Sequence, residues 1–171
     1  MAFAFYLSAA IAIGATVMVV TSANAIHGLL YLVVSFLAAA TVLLLFGAPF
    51  AAALEVIIYA GAIMVLFVFV VMILGVGSRE RRARPPGRAW IGPAFLAAVL
   101  AAELAYVQAT GRATVAPGQV GPAAVGASLM GPYLAGVELV SVLLLVALIG
   151  AFHLGFRLGE RQTPGKKGGG A

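Results

Sequence analysis

Cysteine and aspartate are both absent from this chain of 171 residues, and charge of either sign is scarce, at 9% of residues. Without a thiol the chain cannot form a disulfide, hold zinc on thiolates or ligate an iron–sulfur cluster by itself. Soluble domains carry about 25% charged residues, so charge this sparse excludes a water-soluble globule. No proline lies in the interior of an apolar run, which excludes spans broken at proline. What is present is apolar: 64% of the residues are hydrophobic, and the mean hydropathy is +1.15. A hydrocarbon core about 30 Å thick needs roughly 20 apolar residues per helix, so five spans use about 100 residues and leave about 70 for loops and tails. Ten Lys and Arg against five acidic residues give a net charge of +5. In a membrane protein that excess reports topology first, and nucleic-acid binding is not indicated.

The expected fold is all-α, with five transmembrane helices at about 3–20, 26–46, 51–76, 90–110 and 133–156 in a single membrane domain, 1–156. Thr21-Ser22-Ala23-Asn24 divides the first two spans, and its Ser and Asn are natural helix N-caps. Gly47-Ala48-Pro49 precedes the third, Gly92-Pro93 opens the fourth and Gly131-Pro132 precedes the fifth. Nine of the ten cationic side chains follow span three (Arg79, Arg81, Arg82, Arg84, Arg88) or span five (Arg157, Arg161, Lys166, Lys167). These two places share a side only if the span count is odd. The positive-inside tendency then puts the N-terminus outside and the C-terminus in the cytoplasm. Residues 157–171 read as a flexible basic cytoplasmic tail. Ala23-Asn24-Ala25 matches a small-x-small cleavage site, but the preceding segment has no Lys or Arg and too long an apolar run for a signal peptide. The Gly/Ala/Pro-rich stretch from Gly111 to Gly131 reads either as an irregular segment lying on protein or as a mobile loop.

An ionised group inside hydrocarbon is costly, so intramembrane acids are the first candidates for function. Glu55, Glu138 and Glu103 qualify. Glu55 and Glu138 lie near the outer ends of spans three and five, where each can reach the interface or bond another helix. Glu103 lies deeper in span four and is expected to be structural. His27 and His153 fall at span ends, where no special role is needed. No metal-ligand cluster, phosphate-cradling glycine loop or nucleophile–base pair occurs, so no catalytic and no metal-binding residues are expected. Span three is unusual in placing Tyr59-Ala60-Gly61-Ala62 inside a β-branched and aromatic run. Close helix packing explains such small residues, and Gly61 is the best candidate for irregular backbone.

The run Glu55-x-x-x-Tyr59-Ala-Gly-Ala-Ile-Met-Val-Leu-Phe-Val-Phe-Val-Val-Met72 carries a resemblance, together with Ala25-Ile-His-Gly-Leu-Leu-Tyr31, Trp90-Ile-Gly-Pro-Ala94 and Gly131-Pro-Tyr133 leading to Val137-Glu138-Leu139. Over nearly its whole length the chain resembles the J subunits of bacterial proton-pumping NADH:quinone oxidoreductase, respiratory complex I, counterparts of mitochondrial NADH dehydrogenase subunit 6. The resemblance implies a noncatalytic subunit of an enzyme complex, multi-pass in the bacterial inner (plasma) membrane. It implies neighbours among the K, A, H and N subunits as well as lipid. It also implies no cofactor on this chain, with flavin mononucleotide, iron–sulfur clusters and quinone held by the holoenzyme elsewhere. A third helix that forms a π-bulge near Tyr59, Ala60 and Gly61 would turn the face bearing Met64, Val65 and Phe67, gating a water or proton path. Glu55 and Glu138 are possible polar contacts in that reading. Glu103 and the basic tail lie outside the family pattern.

Overall fold

The computed structural model describes residues 2–74, 90–109 and 120–161, with side chains of the last helix described as far as Phe156. Among the described residues there is no strand. Five helices among these residues are long and apolar enough to cross a membrane: Ala2–Thr21, Ala25–Leu45, Pro49–Ile73, Ile91–Ala109 and Leu134–Phe156. The Arg-rich loop, Arg112 and the tail beyond Arg161 lie outside the described residues. The chain divides into two compact units, Met1–Gly121 and Pro122–Ala171.

In the first unit α1 (Ala2–Thr21) and α2 (Ala25–Leu45) form an antiparallel hairpin. The turn is short because Asn24 caps α2. Its side-chain oxygen accepts from the Ile26 amide at 3.0 Å and the His27 amide at 3.4 Å, satisfying donors that have no partner within the helix. Ala15 and Ala38 are fully buried between Ile11, Val34 and Leu100. Such small side chains let the two backbones approach. Polar groups tie the same interface: Thr16 and Ser35 hydroxyls lie 2.8 Å apart and both reach Ala12 O, at 2.8 and 3.1 Å, so that one hydroxyl donates to the carbonyl while the other donates to its neighbour.

Helix α2 ends in a Schellman motif. Gly47 adopts φ +77°, its amide donates to Leu44 O at 3.0 Å, and the Ala48 amide reaches back to Leu43 O at 3.1 Å. An L side chain at that φ is strained by about 1–2 kcal/mol, which explains glycine here. Pro49 then starts α3 (Pro49–Leu54), whose backbone continues as a π-helix over Glu55–Ile63 and as α4 over Met64–Ile73. Helix α5 (Ile91–Ala109) packs on α1 and α2 through Pro93, Leu100, Glu103 and Val107, which share one stripe. Tyr31 of α2 lies against the α5 start, where a Cβ at Gly92 would collide with its hydroxyl.

The second unit holds α6 (Pro122–Met130) and α7 (Leu134–Arg161). Helix α6 corrects the expectation of an irregular segment or loop over this part of 111–131; residues 110–119 lie outside the described residues. The composition was compatible with helix all along, because alanine is the best helix former and Pro122 sits at the tolerated first position. The Gly131-Pro132 pair separates the two helices, and the Tyr133 amide donates to Ser128 O at 3.1 Å. Helix α7 continues past 156 to Arg161.

Candidate functional site

The third span departs from regular geometry at its centre. Over Glu55–Ile63 the backbone is π-helical, and the Met64 amide is shared between Gly61 O and Tyr59 O, the latter five residues back. A π turn absorbs an extra residue, so everything downstream is rotated by about 100° relative to a continuous α-helix. Gly61 sits where that wider turn crowds the chain. A Cβ there would lie 3.3 Å from Val56 O, the carbonyl five residues back. Glycine thus avoids a close contact that any other residue would bring to this geometry.

The rotation decides what α4 presents. Met64 is turned fully inward, 1% exposed, while Val65 and Phe67 are 66% and 51% exposed. None of Glu55–Ile63 is fully buried. Ala60 and Gly61 are half-buried, as is Glu55 at the first π position. Tyr59 packs its ring on Phe36 of α2, with centroids 5.4 Å apart and planes tilted by 49°. Tyr59, Ala60, Gly61 and Met64 therefore belong to one irregular segment and the residue that follows it. Glu138 is exposed on α7 of the second unit. Beside the start of the π segment lies a cavity of about 410 Å³ whose walls include Thr41, Pro49, Ala52, Val56, Leu100 and Leu104.

The acid that sequence reasoning set aside has the most specific partner. Glu103 is 6% exposed on the buried stripe of α5, and the Ser8 hydroxyl of α1 donates to its Oε1 at 2.8 Å. Ser8 is itself fully buried. No local motif announces this pair, since its members are 95 residues apart. The usable signal was a hydroxyl buried in one span and a carboxyl in another, each needing a partner in hydrocarbon.

Among the described residues no group of three or more His, Cys, Asp or Glu side chains comes together. With no cysteine in the chain, its donor set does not fit an iron–sulfur cluster.

Five apolar helices among the described residues, the first three joined by short turns, with a small-residue seam between α1 and α2 and a π-helical stretch in the third span, make this a small polytopic α-helical membrane protein. The chain belongs to the NADH-ubiquinone/plastoquinone oxidoreductase chain 6 family, whose model matches residues 15–154. It is 52% identical over 166 residues to NADH-quinone oxidoreductase subunit J of Pseudomonas aeruginosa, covering 91% of this chain and 96% of that one. To subunit J of Escherichia coli it is 48% identical over 160 residues, covering 91% and 86%. To that of Buchnera aphidicola from Acyrthosiphon pisum it is 42% identical over 159 residues, covering 91% and 94%. Bacterial relatives and five apolar helices together make it a multi-pass protein of the bacterial inner membrane.

Proposed function

We propose that the chain is a noncatalytic membrane-arm subunit of NADH:quinone oxidoreductase that helps couple electron transfer to proton translocation, its third span acting as the moving part. The observation that supports this reading is the π-helical stretch Glu55–Ile63 in a chain of this family. π turns are rare and concentrate at functional sites. Converting one to α-helix turns the downstream helix by about 100° and re-aims Met64, Val65 and Phe67 together. Bulky apolar side chains turned into or out of a narrow passage close it to water or open it, and two packings within a few kcal/mol make a switch. Glu55, at the head of the segment, is a polar contact available to water in that passage, and Glu138 is a polar contact available to neighbours.

In this reading the N-terminus faces outward and the basic loop and tail face the cytoplasm. The K, A, H and N subunits are its neighbours. Flavin mononucleotide, iron–sulfur clusters and quinone are held by other subunits. Mild detergent extraction, a native gel and an NADH-oxidation stain test membership: the chain migrates with a very large NADH-oxidising assembly. Migration only as a small homo-oligomer, with the large complex elsewhere, would favour a stand-alone transporter instead. The gate is tested by Gly61→Val in reconstituted enzyme. Loss of pumping or of turnover is expected, and full retention of both would remove Gly61 from the mechanism.

A further inference from the structure

The buried carboxyl of Glu103 stands beside a second cavity, between α1, α2 and α5. This cavity, of about 510 Å³, is bounded by Phe3 and Leu7 of α1, Leu45 of α2, and Val99, Tyr106 and Val107 of α5, with Glu103 on its wall. Its volume lies within the range of about 300–1,000 Å³ common for small-molecule sites. It sits where α1 begins and α2 and α5 end. Ser8 is six residues beyond Ala2, the start of α1, which places the Ser8–Glu103 pair roughly 9 Å along α1 from its start. Oε1 of Glu103 is bonded by Ser8, whereas Oε2 is buried with no hydrogen-bond partner. An unmet carboxyl oxygen in apolar surroundings costs about 1–3 kcal/mol or more. The terminal torsion of a glutamate is soft, so a small turn of the carboxyl brings an oxygen to the cavity.

We propose that this cavity binds a membrane alcohol, a molecule with an apolar body and a hydroxyl that pairs with the free oxygen of Glu103. The polarity of the site selects this class. A hydroxyl both donates and accepts, so it satisfies the carboxyl in its ionised and in its neutral form. Water alone fits poorly, because a buried water needs about two to four polar partners and the walls are almost entirely apolar. A phospholipid headgroup fits poorly as well, since its phosphate would meet a carboxyl among largely apolar walls. An alcohol, one hydroxyl on an apolar body, matches apolar walls with one carboxyl among them. Nothing in this assignment depends on the third span acting as a gate.

The test uses a long-chain alcohol carrying a diazirine on its alkyl chain, and the matching alkane without the hydroxyl, on the full chain in detergent and on the assembled oxidoreductase. The expected result is that the alcohol labels peptides spanning 3–8 and 99–107 about tenfold more than the alkane does, the ratio one well-made hydrogen bond gives, in both preparations. Glu103→Gln, which keeps a donor and an acceptor, retains the preference, and Glu103→Leu abolishes it. Equal labelling by alcohol and alkane in the unaltered protein overturns the proposal whether or not Glu103→Leu folds. So does an undiminished preference in Glu103→Leu. Labelling of the free chain that disappears in the assembled complex overturns it too, because a neighbouring subunit then supplies the partner of the carboxyl.

Discussion

Gly61→Ala should move the third span toward a regular α-helix, and the size of the effect follows from two opposed contacts. In an α-helix interior, replacing glycine by alanine is favourable by about 0.8–1 kcal/mol. In the π turn the new methyl would lie 3.3 Å from Val56 O, inside the 3.5–4.0 Å at which carbon contacts are optimal, so the π form does not collect that gain. A difference of about 1 kcal/mol shifts the ratio of the two forms about fivefold toward α. Met64 reports the shift, because it is turned fully inward in the π form and loses that azimuth to Ile63 when the extra residue is expelled. The absence of native cysteine makes the assay direct. With Met64→Cys as the only thiol, the rate of alkylation by N-ethylmaleimide in detergent tracks the fraction of the α form, and adding Gly61→Ala raises it about fivefold. Val65→Cys, already outward in the π form, serves as the reference for reagent access. An unchanged or slower rate at position 64, with Val65→Cys reacting normally, would refute the argument that the Gly61–Val56 contact holds the balance between the two forms.

Two further outcomes are expected. Gly92→Ala drives a methyl into the Tyr31 hydroxyl, the far end of a half-buried side chain that can turn aside, so the overpacking cost sits at the low end, about 1 kcal/mol; the thermal midpoint of the purified chain falls by a few degrees, and Tyr31→Phe in the same chain restores part of the loss, whereas no recovery would place the strain elsewhere. Asn24→Ala removes the acceptor for the Ile26 and His27 amides and costs about 1 kcal/mol, while Asn24→Ser keeps most of it; equal midpoints for the two variants would mean the cap is not formed.

Where the spans lie was legible because hydrocarbon imposes a single requirement, about 20 apolar residues in a row, and the interruptions at Asn24, Gly47, Gly92 and Gly131 are turn or cap chemistry that acts locally. Asn24 as an N-cap and Gly47 as a turn are both consequences of one residue's own backbone and side chain. Helix α6 was not legible, because Pro122-Ala-Ala-Val-Gly-Ala is also loop composition, and only the choice between glycine's cost and alanine's propensity decides it. The placement of Met64 inward and Val65 outward could not be read from the sequence either. A continuous α-helix and one carrying a π turn have the same residues and differ in phase. Glu103 marks another limit: its burial was readable from depth in the span, but its partner depends on how α1 meets α5, and Ser8 is one hydroxyl among several on α1 and α2 that bond within the membrane.

The hydrogen bonds among Ala12, Thr16 and Ser35 have a consequence for the order in which the protein is made. Both helices they join lie before Phe46, and the turn between them is fixed by Asn24 and by the Ser22 hydroxyl, which donates to Asn24 O at 3.0 Å. What closes the hairpin, its small-residue seam and the paired Thr16 and Ser35 hydroxyls, is synthesised before Pro49 starts the third span, while the Ser8 hydroxyl meets its partner only when Glu103 of α5 arrives. Pairing Thr16 and Ser35 with each other and with Ala12 O also spares these two hydroxyls from entering lipid unmet. The hairpin can thus insert as one piece and present a surface with one waiting hydroxyl, Ser8, to which Glu103 on the buried stripe of α5 is matched once its span has been synthesised.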